Sequence, residues 1–153
     1  MVKNTSLSDI IERDTDTDVM QADAFLTAER HANNVKPEDP NAPQLVIGTP
    51  AANDLQGGPA DDTLVASSNI DTATGGGGND TFVFNFGQST STTIKDFQIG
   101  DLLEIRGVDP AVVDFTDVQV TTKPSMTLVD IGQDHIKLLG VDHVSASDFL
   151  FHV

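Results

Sequence analysis

The chain of 153 residues has no cysteine, no tryptophan and no tyrosine, and only eight lysines and arginines stand against twenty-four acidic residues. Each scarcity excludes something. Without cysteine there are neither disulfides nor thiolate metal sites. Eight scattered basic residues cannot build the clustered cationic surface that nucleic-acid phosphates require, so nucleic acid is not a partner, and anionic membranes are disfavoured for the same reason. No run of about eighteen apolar residues occurs, so no transmembrane segment is expected. The opening "MVKNTSLSDIIERD" lacks the apolar stretch of a secretory signal peptide. Sugar-binding faces usually display exposed aromatic rings, and this chain has phenylalanine alone to offer. The histidines His31, His135, His143 and His152 form no H-E-x-x-H pair, and no serine sits in a G-x-S-x-G context, so no enzyme activity is expected.

What is present is aspartate: twenty of the twenty-four acids, for a net charge of −16. Aspartate favours turns and hard cations over helices. The length suits one domain with a tail. Residues 1–44 are polar and acidic, with "TDTD" at 15–18 and a proline-rich exit "KPEDPNAP" at 36–43, and read as a largely flexible leader. A short helix is expected within it from about Val19 to Asn33, where Ala22, Phe25, Leu26 and Ala32 share a face and Asp18 can cap.

From Gly48 the chain repeats every nine residues without insertion: "GTPAANDLQ", "GGPADDTLV", "ASSNIDTAT", "GGGGNDTFV". The sixth position is Asn53, Asp62, Asp71 and Asp80, and the eighth is Leu55, Leu64, Ala73 and Phe82. A flexible linker would not hold an acid or amide and an apolar residue in register, and a phosphate loop would need a lysine after its glycines. With six residues of loop and three of strand per unit, position eight faces inward, and two units make one coil with a strand on each side. Stacked coils then bring Asp62 beside Asp80 at one edge, and Asn53 beside Asp71 at the other. Facing carboxylates repel unless a cation lies between them. Oxygen-only donors suit Ca²⁺ better than Mg²⁺, and glycines let the loop carbonyls turn toward the same point.

After Phe82 the pattern is strand-like: "TFVFNF", "TTIKDF", "DLLEIRGV", "VVDFTDVQV", "MTLVDI", "HIKLLGV" and "ASDFLF". "IGQD" at 131–134 reads as a hairpin turn. In "KDFQIGD" at 95–101, Asp96 and Asp101 could approach a further cation, although a turn with a solvated carboxylate is the simpler expectation. The fold class expected is all-β, a short parallel β-roll over 48–83 followed by an antiparallel β-sandwich-like cap to about residue 151.

The unit G-G-x-G-x-D-x-U-x, matched at every fixed position by "GGGGNDTFV", resembles the calcium-binding nonapeptide of RTX (repeats-in-toxin) proteins. "GGPADDTLV" departs at Ala60, and "ASSNIDTAT" keeps little beyond Asp71. The stretch "NDTFVFNFGQSTSTTIKDFQIGDLLEIRGV", with "IKLLGVDHVSASDFLF", is similar to C-terminal modules of serralysin-type metalloproteases and mannuronan epimerases, so that residues 45–153 are covered. The resemblance implies a calcium ion between loops two repeats apart. One site would use Asp62 and Asp80 with carbonyls near Gly58, Ala60, Gly75 and Gly77. A weaker one would use Asn53 and Asp71 with carbonyls near Thr49, Ala51, Ala66 and Ser68. The resemblance further implies a secreted protein of a Gram-negative bacterium, exported by a type I secretion apparatus that reads an uncleaved C-terminal signal, here "SASDFLFHV". Calcium would fold it outside the cell. The alternative is a noncatalytic extracellular module that binds a polysaccharide or a protein partner on a cell surface.

Overall fold

Six residues of loop and three of strand per nine-residue unit leave room for very short strands only. The computed structural model, which describes residues 30–31, 41–109 and 113–153, contains them. After β1 (Arg30–His31) come β2 (Leu45–Ile47), β3 (Asp54–Gln56) and β4 (Thr63–Val65), then the longer β5 (Ile70–Thr74), β6 (Thr81–Asn85), β7 (Ser91–Ile94) and β8 (Leu102–Arg106). The C-terminal part adds β9 (Gln119–Lys123), β10 (Met126–Ile131), β11 (Asp134–Leu139) and β12 (Phe149–His152), with 3₁₀ turns at Phe115–Asp117 and Ala146–Asp148. No α-helix occurs among the described residues, and the helix expected over 19–33 lies outside them, except that Arg30–His31 is strand.

From β2 to β9, successive strands alternate between two six-stranded sheets, ordered β1-β2-β4-β6-β8-β12 and β3-β5-β7-β11-β10-β9; β10 and β11 stay in the second sheet and β12 returns to the first. Leu64 pairs with Phe82 and Leu55 with Ala73 in parallel register, the two-unit coil that the repeat implies. Alternation of side chains then sends position eight into the space between the sheets. Leu55, Leu64, Ala73 and Phe82 are at most 1% exposed. Ile94, Leu103, Ile105, Ile136, Leu138 and Phe149 continue the same core beyond the repeats. Phe97 leans its ring on Phe82 at 6.1 Å between centroids, and Phe115 does so on Phe149 at 5.1 Å.

The parallel stack runs further than residues 48–83. β8 pairs parallel with β6, β7 with β5, β11 with β7 and β12 with β8. Antiparallel pairing in the C-terminal part is confined to β9, β10 and β11. Through β8 the reason for parallel pairing is that each loop returns the chain to the opposite sheet, so each new strand meets its neighbour in the same direction. The hairpin expected at 131–134 is present: Ile131 faces Asp134, and Gly132 at φ +61° occupies the first central turn position. Buried Asp134 ties this hairpin to the preceding coil, accepting from Thr90 N at 2.9 Å and from Gly87 N at 2.7 Å. The described residues from His31 onward form one compact unit.

Candidate metal centre

The loops 57–62, 75–80 and 95–101 lie along one edge of the coils, and their aspartates form a ladder. Gln44 N donates to Asp62 Oδ1 at 2.8 Å, Asp62 N to Asp80 Oδ1 at 2.9 Å, and Asp80 N to Asp101 Oδ1 at 2.9 Å. Each carboxylate thus reaches back to the main chain of the previous coil. Asp62, Asp80 and Asp101 are all buried to 2% exposure or less. The expectation that the 95–101 turn carries only solvated carboxylates is therefore corrected for Asp101, which takes the place of a sixth-position aspartate one coil further on.

The second oxygens differ. Asp62 Oδ2 accepts from Gly58 N, and Asp101 Oδ2 from Gln98 N at 2.9 Å. Asp80 Oδ2 is buried with no hydrogen-bond partner. The cause is local: Gly76 N, the counterpart of Gly58 N, donates instead to Asp96 Oδ2 at 2.9 Å, and Gly75 N donates to Asp96 Oδ1 at 2.9 Å. An orphaned buried carboxylate oxygen is costly unless something compensates it. Burial first, and then the neighbouring Asp101, Asp62 and Asp96 charges, push Asp80 up to about 6 against the pull of its bond from Asp62 N. Burial also raises Asp101.

Glycine is required here by space. A Cβ on Gly75 would overlap the Asp80 carboxylate, and one on Gly78, at φ +98°, would lie 2.6 Å from the Ala60 carbonyl carbon. Gly58 and Gly77 meet where Gly77 N donates to Gly58 O at 2.8 Å, and Ala60 lies against Gly78. Among the described residues no three carboxylate, imidazole or thiol groups gather around one point. A cation at this edge would accordingly rely on one or two carboxylates and on backbone oxygens, a donor set that fits a hard ion such as Ca²⁺.

At the opposite edge Asn53 and Asp71 also meet, with Asn53 N donating to Asp71 Oδ1 at 2.9 Å. Thr49 and Ala51 join them through their carbonyls, both of which accept from Asn53 Nδ2. Ala66 is buried in the core and Ser68 is exposed; the side chain of that loop which reaches the cluster is Ser67, whose N donates to Asp71 Oδ2 at 2.9 Å. Ser67 and Asp96 carry no signal in the nine-residue pattern. Asp101 does carry one: it stands two residues before the inward Leu103, as each sixth-position residue stands before its eighth.

The raised Asp80 pKa has a measurable consequence. Its folded value, about 6, lies above the ordinary value of about 3.9, so a proton on Asp80 stabilises the ion-free fold fully below the ordinary value, and that contribution disappears as pH rises through about 6. In chelator, β-structure measured by far-UV circular dichroism increases when pH is lowered from 7 to between 4 and 5. With calcium present the dependence reverses, because protons then compete with the ion. A chelated spectrum that does not change over this interval contradicts the assignment.

A family model described as the RTX calcium-binding nonapeptide repeat (4 copies) matches residues 47–90. No curated protein matches the chain. RTX nonapeptide repeats bind Ca²⁺, are not a catalytic family, and occur in proteins that are typically secreted.

Proposed function

We propose, from the premise that this chain carries RTX calcium-binding repeats over residues 47–90, that it is a noncatalytic extracellular module whose folding is driven by calcium after export. The observation that carries this reading is the buried, partnerless Asp80 Oδ2 beside the Asp62 and Asp101 carboxylates. Asp62 and Asp80 would hold the ion, with carbonyls of the loops bearing Gly58, Ala60, Gly75 and Gly77 completing the oxygens. The ion supplies positive charge where the coils bring carboxylates together. The chain's own residues do the rest: the glycines admit the close approach, the ladder fixes the spacing of the loops, and Leu64 and Phe82 anchor the strands that carry them. Because these oxygens converge only when coils stack, binding energy is folding energy. Sites in extracellular modules have dissociation constants of about 10⁻⁴ to 10⁻³ M, which leaves the ions unbound in a calcium-poor cytoplasm and bound outside.

Export falls to the segment "SASDFLFHV", read by a type I secretion apparatus in a Gram-negative bacterium. In the folded chain Phe149–His152 is strand β12, hydrogen-bonded to β8, and Phe149 is 7% exposed, so the segment is accessible to a channel only before folding. Deleting residues 148–153 retains the protein in producing cells that contain the transporter. Loss of β12 as a strand does not by itself explain retention, since the chain crosses unfolded. Equal secretion with and without the segment removes this assignment, and a wild-type chain fully folded in chelator and unchanged by calcium removes the calcium reading. Among the described phenylalanines Phe86 is the most exposed, at 36%, so a polysaccharide face would have few aromatic rings to use.

A further inference from the structure

We propose that the edge formed by loops 48–53 and 66–71 is closed by hydrogen bonds in place of a cation, with the Asn53 amide nitrogen occupying the position an ion would take. The inference rests on the calcium reading only for what it says a cation would need. Asn53 Nδ2 faces three oxygens: Thr49 O at 2.9 Å, Ala51 O, and Asp71 Oδ1 at 3.1 Å. Both carbonyls and this carboxylate are oxygens that the resemblance to RTX repeats assigns to an ion.

The amide orientation follows from chemistry. Asn53 Oδ1 accepts from Thr49 Oγ1 at 3.0 Å and from Thr49 N at 3.3 Å, so both ends of the amide have partners of the right kind. Turned over, the oxygen would confront three oxygens and the NH₂ would confront a backbone N–H. Asn53 is 7% exposed, so water cannot substitute for these partners.

The carboxylate here is also satisfied, unlike that of Asp80. Asp71 Oδ1 receives Asn53 N and Nδ2; Asp71 Oδ2 receives Ser67 N at 2.9 Å and lies 3.1 Å from Ser67 Oγ. Ser67 Oγ lies also against Thr49 O, and Asn69 Nδ2 crosses to Pro50 O at 3.0 Å, so side chains join the two loops where an ion would otherwise do it. Asp71 is completely buried, yet no oxygen in it lacks a donor. A cation could enter only by displacing the amide from the same three oxygens, and it would meet one carboxylate instead of two. Asn53 in the first unit and Ser67 in the third, the residues that make these two units poor repeats, are thus the groups that make this edge independent of metal.

The test counts ions on the full chain by native mass spectrometry at saturating calcium. Asn53→Asp puts a second carboxylate among the oxygens and removes the amide donor; this variant binds one more calcium ion than the wild type. Asn53→Ala binds the same number as the wild type. Loss of one ion in Asn53→Ala overturns the proposal, because it shows that the wild type holds calcium at this edge, and so does an unchanged count in a folded Asn53→Asp. If Asn53→Asp does not fold, the wild type decides. Exchanging cadmium for calcium leaves the carbonyl ¹³C shifts of Thr49 and Ala51 in place, and movement of either one defeats the proposal. Failure of the calcium reading itself is visible separately, as a wild type that binds no calcium at the Asp62–Asp80 edge.

Discussion

Asp80→Asn raises the calcium concentration needed for folding by at least about tenfold to a hundredfold, the range that loss of even a supporting residue costs a metal site. In chelator the same substitution stabilises the chain. The two signs come from one atom. Asp80 Oδ2 is buried without a donor, so without an ion it is an uncompensated charge, and replacing it with a neutral amide removes that penalty. The amide retains Oδ1 as acceptor for Asp62 N, so the ladder survives. With calcium present the lost charge is instead a lost ligand. Urea denaturation in chelator and in saturating calcium therefore gives stability orders that cross: variant above wild type in the first, below it in the second. A variant that is less stable than the wild type in both conditions shows that Asp80 has only a packing role.

Phe82→Ala destabilises the protein by about 3–5 kcal/mol under both conditions, a large share of the roughly 5–15 kcal/mol of a typical domain. Phe82 is 1% exposed, stands between Leu64 and Leu103 in register, and carries Phe97 on its ring. Truncation leaves a cavity at the centre of the stack and removes no oxygen from either edge. Stability grows with the logarithm of free calcium at a slope set by the number of ions bound. Phe82→Ala lowers that line without changing its slope, whereas Asp80→Asn reduces the slope by about one ion. Measuring unfolding at several calcium concentrations separates the two, and a changed slope in Phe82→Ala would mean that core and site are not independent.

The nine-residue period made the coil legible because loop and strand must share it. Once position eight points inward, the pairings of Asp62 with Asp80 and Asn53 with Asp71 follow from geometry, and both are present. The coil that follows was harder to read because its length changes. Asp62 and Asp80 are 18 residues apart, but Asp80 and Asp101 are 21 apart, and an extra three residues hide the sixth position from any scan at fixed period. Asp96 was named in the sequence only as a candidate for a further cation, and its actual role was illegible for another reason. Its effect is to take the Gly75 and Gly76 amides away from Asp80, a competition between two acceptors that only coordinates reveal. The parallel pairing of β11 and β12 depends on partners 44 or more residues away, as Thr93 with Lys137 and Leu103 with Phe149 illustrate, and strand patterns carry direction only through such partners.

The aspartate ladder has a polarity. Each rung is supplied by the later coil and received by the earlier one: Asp101 serves Asp80 N, Asp80 serves Asp62 N, and Asp62 serves Gln44 N. The two ends of the stack are therefore unequal under trimming. Removing the N-terminal partner uncovers a carboxylate oxygen, which water solvates readily. Removing the C-terminal coil instead uncovers a backbone N–H, which turns to water as its acceptor. Shortened from the front, the stack ends on a free acceptor; shortened from the back, it ends on a free donor, so the two cut faces are complementary in what they can bind.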